Sequence, residues 1–186
     1  MTPYTVSPYA QGTPEWLQAR VGLVTASRAS EVRAKLKTGQ PAAARTDYLW
    51  EIVCEQLTGQ SAENGFLNAA MQWGYEAATG HLVEEVGLCL SSSMRVGASV
   101  DGLVGSDGLV EIKCPTTKVH LAYLRSTVVP PDYLAQIAHA FVVLPDRTWC
   151  DFVSFDPRLP DRLQLVVRRV DRQAAGVAAY LTDGIG

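Results

Sequence analysis

A stretch near the middle of the chain carries three side chains whose types and spacing suit metal-assisted hydrolysis. Asp101 precedes Glu111 by ten residues, and Lys113 follows Glu111 after a single intervening residue, Ile112. Two carboxylates and a backbone carbonyl are the hard oxygen ligands that Mg²⁺ prefers, with Mn²⁺ as a substitute. Such a cation neutralises charge on a phosphate and lowers the pKa of an attacking water. The stretch therefore indicates a metal-dependent phosphodiester-hydrolysing centre.

A predicted hairpin brings these side chains together. Turn-forming residues separate two β-rich runs, at 98–104 and 109–114, and they are Gly105, Asp107 and Gly108. Because side chains alternate along a strand, Glu111 and Lys113 share one face, and the residue between them offers that face only its carbonyl. Asp101, near the end of the first strand, meets them there. Beside a cation, a desolvated Lys113 has a lowered pKa and can orient or deprotonate the water.

Length and composition favour an ordinary globular protein. The chain has 186 residues, of which 47% are hydrophobic and 19% charged, so we expect one domain over residues 1–186. No apolar run approaches the roughly 18 residues that span a membrane, and a signal pattern is absent. We therefore expect a cytoplasmic protein without membrane contact. The four cysteines lack Cys-x-x-Cys spacing, which favours buried free thiols over disulfides or a zinc site.

The charge distribution is informative because the net charge of −3 is unusual for a protein that binds nucleic acid. Residues 28–45 carry five basic residues against one acid, a local excess of +4. Lys35 and Lys37 in this segment are candidates for DNA contact. A second arginine-rich segment, residues 158–172, is interleaved with aspartates and is interpreted as a solvated face.

Periodicity and capping signals predict the remaining elements. Helices are predicted at 14–20, 27–36, 45–57, 68–86, 116–126, 132–144 and 171–181, and strands at 148–155 and 163–170. The third helix is supported by apolar residues at helical spacing, namely Leu49, Ile52, Val53 and Leu57. This order of elements predicts an α/β fold with a mixed central sheet flanked by helices.

Five short segments occur in an order that resembles the YqaJ-type viral recombinase, or phage lambda exonuclease, family. They are GTPEWLQAR at 12–20, TAS at 25–27, WGYE at 73–76, the hairpin from Asp101 to Lys113, and YLAQI at 133–137. Each segment is weak alone, but their common order is specific. The resemblance covers about residues 12 to 170, most of the chain.

The resemblance implies a restriction-endonuclease-like core of the PD-(D/E)xK type. It also implies a Mg²⁺-dependent exonuclease that processively digests one strand of linear duplex DNA from phosphorylated 5′ ends, leaving 3′ single strands for recombination. A toroidal homotrimer around the DNA and a single-strand annealing protein as partner are implied as well. A phage or prophage origin would fit a bacterial cytoplasm.

The resemblance also assigns roles by position. Metal ligands would be Asp101, Glu111 and the carbonyl of Ile112, while Lys113 would orient the water. The acidic site would be completed by Glu76 from the preceding helix and by Gln136 as a helix partner. DNA and a 5′ phosphate would be bound by Arg20, Thr25, Ser27 and Tyr133, where Tyr133 lies one turn before Gln136.

Other interpretations of these residues remain open. A structure-specific or site-specific endonuclease would share the acidic site without an end-phosphate pocket, and closed circular DNA would distinguish it. A non-catalytic recombination scaffold would keep the basic segment but tolerate loss of Lys113. Independently of the activity, a purely structural interpretation pairs Arg20 with Glu15, and another makes Glu76 a surface helix residue. Trp16 is interpreted as a core anchor, since large aromatic side chains usually pack.

Overall fold

The computed structural model describes residues 4–59, 61, 75–76, 79–92 and 96–183. Strands and helices are interspersed along this part of the chain, which confirms the predicted α/β class. The strands are β1 (Tyr4–Val6), β2 (Val24–Thr25), β3 (Val83–Glu84), β4 (Cys89–Ser91), β5 (Val96–Ala98), β6 (Gly102–Val104), β7 (Gly108–Lys113), β8 (Trp149–Phe155) and β9 (Leu165–Asp171). The helices are α1 (Pro14–Ala19), α2 (Ala29–Val32), α3 (Ala43–Thr58), α4 (Thr117–Arg125), α5 (Pro131–Val143) and α6 (Ala175–Asp183).

The strands form two mixed sheets, whereas the sequence predicted one central sheet. The first sheet has the order β1-β4-β5-β2, and the second has the order β3-β6-β7-β8-β9. Strands β7 and β8 are parallel, and α4 and α5 form the crossover that a parallel pair requires. The chain leaves the first sheet after Ala98 and enters the second at Gly102. Residues 99–101 therefore lie at the junction of the two sheets.

The predicted hairpin exists as β6 and β7, which pair antiparallel over three residue pairs. Gly105 in its turn has a φ of 56°, a left-handed conformation that glycine adopts without strain. The predicted first strand, 98–104, is interrupted, because its beginning belongs to β5 and residues 99–101 are not in a strand. Asp101 therefore lies directly before β6 and not near the end of a strand.

Alternation along β7 sends its side chains to two differently packed faces. Leu109 is fully buried in a core that includes Phe141 of α5. Val110 is fully buried on the opposite face, together with Tyr75. Glu111, two residues after Leu109, therefore lies on the face of the sheet that α5 covers. The hydrophobic pattern of the strand thus determines where its ionisable side chains point.

Helix α5 is the element that faces this side of β7. It begins at Pro131, which fits the first turn of a helix because it has no N–H to satisfy. Its buried residues are Gln136, Ile137, Ala138, His139, Ala140, Phe141 and Val143. The helix packs against α6 on one side and against the 3-10 helix Ala26–Arg28 on another. A helix held on two sides can position polar side chains against the sheet.

Helix α3 confirms the predicted helix, and two of its four apolar residues at helical spacing are exposed. Leu49 is 58% exposed and Leu57 is 82% exposed. The face that contacts the rest of the protein carries polar side chains. The hydroxyl of Tyr48 accepts a hydrogen bond from the backbone N–H of Thr25 in β2. Glu51 binds Arg28, and Glu55 accepts the N–H of Gly22. Polar contacts, and not apolar periodicity, therefore decide the orientation of this helix.

Three other element boundaries differ from the prediction. Of the helix predicted at 68–86, residues 68–74 and 77–78 lie outside the described residues. Tyr75, Glu76 and Thr79 are helical, and β3 follows. Gly80, with a φ of 70°, ends the helical conformation. The helix predicted at 27–36 consists of a 3-10 turn and the short α2. Asp171, predicted to cap the last helix, is the final residue of β9.

Two predictions made from the composition, on membrane spans and on cysteines, can be compared with the described residues. Within the described residues, no helix is long and apolar enough to cross a membrane. All four cysteines have free thiols, as predicted. Only Cys89 and Cys150 are buried, however, while Cys54 and Cys114 are exposed. Neither exposed cysteine lies in a buried apolar strand or helix face, which is why the predicted burial fails for them.

Candidate active site

Two carboxylates meet where the two sheets join. Glu111 in β7 is 5% exposed, and Asp101 directly precedes β6. The backbone N–H of Ile112 donates to Oδ2 of Asp101 at 2.6 Å, so the hairpin itself holds this carboxylate beside β7. Burial, and then the charge of Glu111, raises the pKa of Asp101 well above its usual range. In this pair of carboxylates, the negative charge of Glu111 therefore disfavours the ionisation of Asp101.

One oxygen of Glu111 receives two donors. The amide Nε2 of Gln136, from α5, donates to Oε1 of Glu111 at 2.6 Å, and the ammonium of Lys113 forms an ion pair with the same oxygen. Burial disfavours the charged lysine, but the charges of Glu111 and Asp101 outweigh burial and raise the pKa of Lys113. From the sequence, we expect a lowered pKa for Lys113 beside a cation. Beside the two carboxylates alone, the pKa of Lys113 is raised instead. We call Asp101, Glu111, Lys113 and Gln136 the acid cluster.

Tyr133 extends the acid cluster along α5. Its ring centroid lies 5.2 Å from Nζ of Lys113, within the range of a cation–π contact. The ring stacks on Phe152 with centroids 5.1 Å apart, so the core fixes its plane. Tyr133 and Gln136 are three residues apart on one helix, as predicted, and they contact Lys113 and Glu111 of the same strand, β7. The aromatic ring therefore borders the ammonium from the side of α5.

A second polar group forms around Arg20 at the end of α1. Its Nη1 donates to Oγ of Ser99 at 2.7 Å, and its Nη2 donates to Oγ of Ser27 at 3.2 Å. The hydroxyls of Ser27 and Thr25 lie 3.2 Å apart. Arg20 is only 5% exposed, so this guanidinium is held in a largely desolvated position. We call Arg20, Thr25, Ser27 and Ser99 the arginine cluster.

The arginine cluster and the acid cluster share one short segment of chain. Residues 99–101 provide Ser99 to the first cluster and Asp101 to the second. The side chain of Gln11, in the loop before α1, also hydrogen-bonds Asp101. Sequence reasoning missed both Ser99 and Gln11, because a single serine or glutamine outside a charged motif carries no chemical signal. The position of Ser99, two residues before a candidate ligand, was the available hint.

This arrangement can be set beside known proteins. The model of the YqaJ-like viral recombinase domain matches residues 15–148, which include every member of both clusters. The match extends over more than half of the chain. The chain belongs to the YqaJ-like viral recombinase family.

Solved structures agree with the YqaJ-like assignment. The chain is 37% identical to an alkaline exonuclease (LHK-Exo) from Laribacter hongkongensis, with a TM-score of 0.75 and 92% of each chain covered. It is 41% identical to LHK-Exo in complex with dAMP, with a TM-score of 0.75, covering 92% of this chain and 88% of that one. These findings support a nuclease of the YqaJ-like family.

A more distant structure shows the same fold. A phage-related exonuclease from Haemophilus somnus 129PT is 12% identical, with a TM-score of 0.61, and the match covers 84% of this chain and 87% of that chain. At this identity the likeness concerns the fold alone. Among curated proteins, none matches the chain.

Three predicted site residues are not members of the two clusters as defined above. Oε1 of Glu76 accepts the N–H of Val83 at 2.9 Å, which ties this carboxylate to β3. Lys35 and Lys37 are exposed in the loop after α2. Their proposed contacts with DNA remain predictions, as does the acidic role of Glu76.

The basic segment around these lysines is partly neutralised. Arg28 pairs with Glu31 and with Glu51 of α3, both at 2.8 Å, and these contacts outweigh burial and raise the pKa of Arg28. The guanidinium of Arg33 lies 4.4 Å from the ring centroid of Tyr180. These two arginines therefore join elements to one another, and the predicted excess of positive charge is smaller on the surface than in the sequence.

Proposed function

We propose that this protein is a Mg²⁺-dependent exonuclease that digests one strand of linear duplex DNA from a phosphorylated 5′ end toward the 3′ end. The observation that carries this proposal is the segment 99–101, which joins the arginine cluster to the acid cluster. A terminal phosphate bound at Arg20 would place the following phosphodiester of the same strand near Asp101. The similarity to a protein named as an alkaline exonuclease supports the exonuclease activity in this proposal.

The arginine cluster has the chemistry of a phosphate site. A guanidinium offers several N–H donors in a planar fork, and hydroxyl groups can donate to the remaining phosphate oxygens. Arg20 supplies the fork, while Thr25, Ser27 and Ser99 supply hydroxyls around it. Because a 5′ phosphate is more highly charged than an internal phosphodiester, a desolvated cation at this position favours the phosphorylated end.

The acid cluster fits a small divalent cation. Desolvation, and then the charge of Glu111, raises the pKa of Asp101, and a cation between the two carboxylates would relieve their repulsion. Asp101 and Glu111 would hold Mg²⁺, or Mn²⁺ as a substitute, with the carbonyl of Ile112. The described residues contain no group of three or more His, Cys, Asp or Glu side chains arranged as a metal site. That is compatible with Mg²⁺, which usually keeps several waters and uses only one or two carboxylates.

Each protein group then has a distinct task in hydrolysis. A bound cation supplies charge neutralisation at the phosphate and a lowered pKa for water. Lys113 orients the attacking water and carries positive charge near the scissile phosphate, while Gln136 holds Glu111 in place. We also propose that Glu76 adds negative charge to the site and that Tyr133, Lys35 and Lys37 contact DNA.

Processivity is proposed to come from assembly. The family resemblance implies a toroidal homotrimer around the DNA and a single-strand annealing protein that receives the 3′ strand. A ring would keep the enzyme on its substrate by topology, which suits a chain whose net charge is −3. Mass measurement of the purified protein in solution tests the trimer independently of activity.

The proposed function is tested by measuring nucleotide release in four reactions. Linear duplex DNA with 5′-phosphate ends, the same DNA with 5′-hydroxyl ends, and closed circular DNA are each incubated with Mg²⁺, and the first also with EDTA. Lys113→Ala serves as the catalytic control. We expect rapid digestion of the phosphorylated linear DNA only, with loss of about 10²–10⁴-fold in the variant.

The alternative outcomes are informative. Cleavage of the circular DNA would indicate an endonuclease. Equal digestion rates on 5′-phosphate and 5′-hydroxyl ends would contradict the proposed end-phosphate pocket. Wild-type activity in EDTA or in Lys113→Ala would contradict the assignment of the acid cluster. Binding of linear DNA without metal-dependent hydrolysis would favour the recombination scaffold.

A further inference from the structure

We infer that Trp16 is a positioning residue for end-phosphate selection, in addition to being a core anchor. This inference rests on the proposed function, because it concerns how the arginine cluster recognises a phosphorylated 5′ end. Trp16 is 5% exposed, which agrees with the predicted anchor. The two polar contacts of its side chain both go to members of the arginine cluster, and packing alone does not explain them.

The first contact supports the guanidinium. The Cζ atom of Arg20 lies 4.4 Å from the centroid of the Trp16 ring. Cation–π attraction is strongest for tryptophan and when the pair is shielded from water. Arg20 is as buried as the ring, so the contact defines a floor on which the planar guanidinium lies. A guanidinium fixed in its plane can present its donors in one direction.

The second contact orients a hydroxyl. The indole Nε1–H donates to Oγ of Ser99 at 3.1 Å, and the same oxygen accepts Nη1–H of Arg20 at 2.7 Å. A serine hydroxyl has two acceptor lone pairs and one donor proton. With two donors on its oxygen, Ser99 has its O–H proton to offer to an anion. Indole N–H is only a donor, so it imposes this polarity on the serine.

Helix α1 makes both contacts possible at once. Trp16 and Arg20 are four residues apart, a spacing that places two side chains on the same face of a helix. The side chain of Thr13 caps the helix by accepting the N–H of Trp16 at 3.2 Å, and Pro14 occupies the first turn. The cap therefore fixes the backbone of Trp16 directly.

The ring and the N–H can be separated experimentally. Trp16→Phe keeps an aromatic floor but removes the indole donor, whereas Trp16→Leu removes both. Trp50→Phe, at an exposed position of α3, is the matched control for loss of a tryptophan. The measured quantity is the ratio of kcat/KM on 5′-phosphate ends to kcat/KM on 5′-hydroxyl ends, alongside circular dichroism and thermal unfolding.

We expect the ratio of the two kcat/KM values to fall further when both contacts of the Trp16 side chain are removed than when only one is. Trp16→Phe should lower it about threefold to tenfold, as expected for one lost hydrogen bond. Trp16→Leu should lower it further, to about 30-fold below wild type, because the cation–π contact is lost as well. Trp50→Phe should keep the wild-type ratio. The loss should be larger on phosphorylated than on hydroxyl ends.

Two results would overturn the inference. One is a folded Trp16→Leu protein with wild-type kcat/KM on both kinds of end, and the other is an equal loss of kcat/KM on both kinds of end, which leaves the ratio unchanged and indicates a structural role. If the leucine variant does not fold, the ratio of the phenylalanine variant decides in the same way. A wild-type protein without any preference for phosphorylated ends would instead refute the proposed function, so the two failures are distinguishable.

Discussion

The two carboxylates of the acid cluster are held by different partners. Asp101 accepts a backbone N–H, whereas Glu111 accepts a side-chain amide and pairs with an ammonium. The burial and the neighbouring charge that raise the pKa of Asp101 mean that its ionised form costs folding free energy. Glu111, in contrast, compensates the positive charge of Lys113. We therefore expect the same loss of activity but opposite effects on stability when each acid is neutralised.

Asp101→Asn and Glu111→Gln test this difference. Without added metal at pH 8, Asp101→Asn should raise the free energy of unfolding, on the order of 1 kcal/mol, because asparagine keeps an acceptor for Ile112 without the charge. Glu111→Gln should lower it by about 1–3 kcal/mol, because Lys113 loses its ionic partner. Denaturant unfolding measures both, and nucleotide release should be lost in both. Equal stability changes in the two variants would contradict the described pairing.

At the scale of elements, Gly102 determines how β6 begins directly after Asp101. A Cβ atom at Gly102 would lie 2.0 Å from Cγ1 of Val83 in the neighbouring β3, far inside contact distance. Val83 is β-branched and has little rotamer freedom to move aside. The absence of a side chain at this position therefore lets β3 approach β6, the strand that follows Asp101.

Gly102→Ala should consequently destabilise the protein by about 1–3 kcal/mol and should also lower hydrolysis, since the backbone must shift next to Asp101. Ser106→Ala, at an exposed position in the hairpin turn, is the matched control and should have little effect. Thermal unfolding and nucleotide release are measured together. A Gly102→Ala protein with wild-type stability would show that β3 does not pack as closely as described.

The contact between α5 and α6 predicts a pH dependence of stability. His139 of α5 is fully buried, with its Nδ1 3.0 Å from the hydroxyl of Tyr180 of α6. Burial lowers its pKa from 6.5 to about 4. Between these values the unfolded chain binds a proton that the native protein does not. The free energy of unfolding should therefore rise with pH across this window, by roughly 3 kcal/mol in all.

His139→Gln provides the comparison, since its amide can keep a hydrogen bond to Tyr180 but does not titrate. Subtracting its unfolding profile from that of the wild type isolates the histidine from the carboxylates, including Asp101, whose raised pKa acts in the opposite direction. Identical slopes for the two proteins between pH 4 and 6.5 would show that His139 binds its proton as readily in the native state as in the unfolded chain.

At the scale of the whole molecule, the sequence predicted the local chemistry better than the packing. Alternation alone places Glu111 and Lys113 on one face, and the helical spacing of three places Tyr133 beside Gln136, as observed. Both predictions depend on periods within a single element. They hold because the burial of Leu109 leaves no other register for β7.

The errors concern contacts between distant elements. Nothing in the apolar spacing of α3 indicates that Tyr48 and the two glutamates would face inward, because their partners are Arg28 and backbone groups far along the chain. The division into two sheets after Ala98, and with it the role of Ser99, likewise depends on tertiary pairing. Single-sequence periodicity contains no information about such partners.

In the proposed function, the acid cluster and the arginine cluster act on the same DNA strand, whose 5′ phosphate is bound at the arginine cluster. The most direct measurement uses duplex DNA that is phosphorylated at only one 5′ end, with each strand labelled by a different fluorophore near its 3′ end, in Mg²⁺. Time-resolved fragment sizing should show the phosphorylated strand shortening stepwise from its 5′ end while its complement stays full length. Shortening of the complement from its 3′ end, or internal fragments of either strand, would contradict the account.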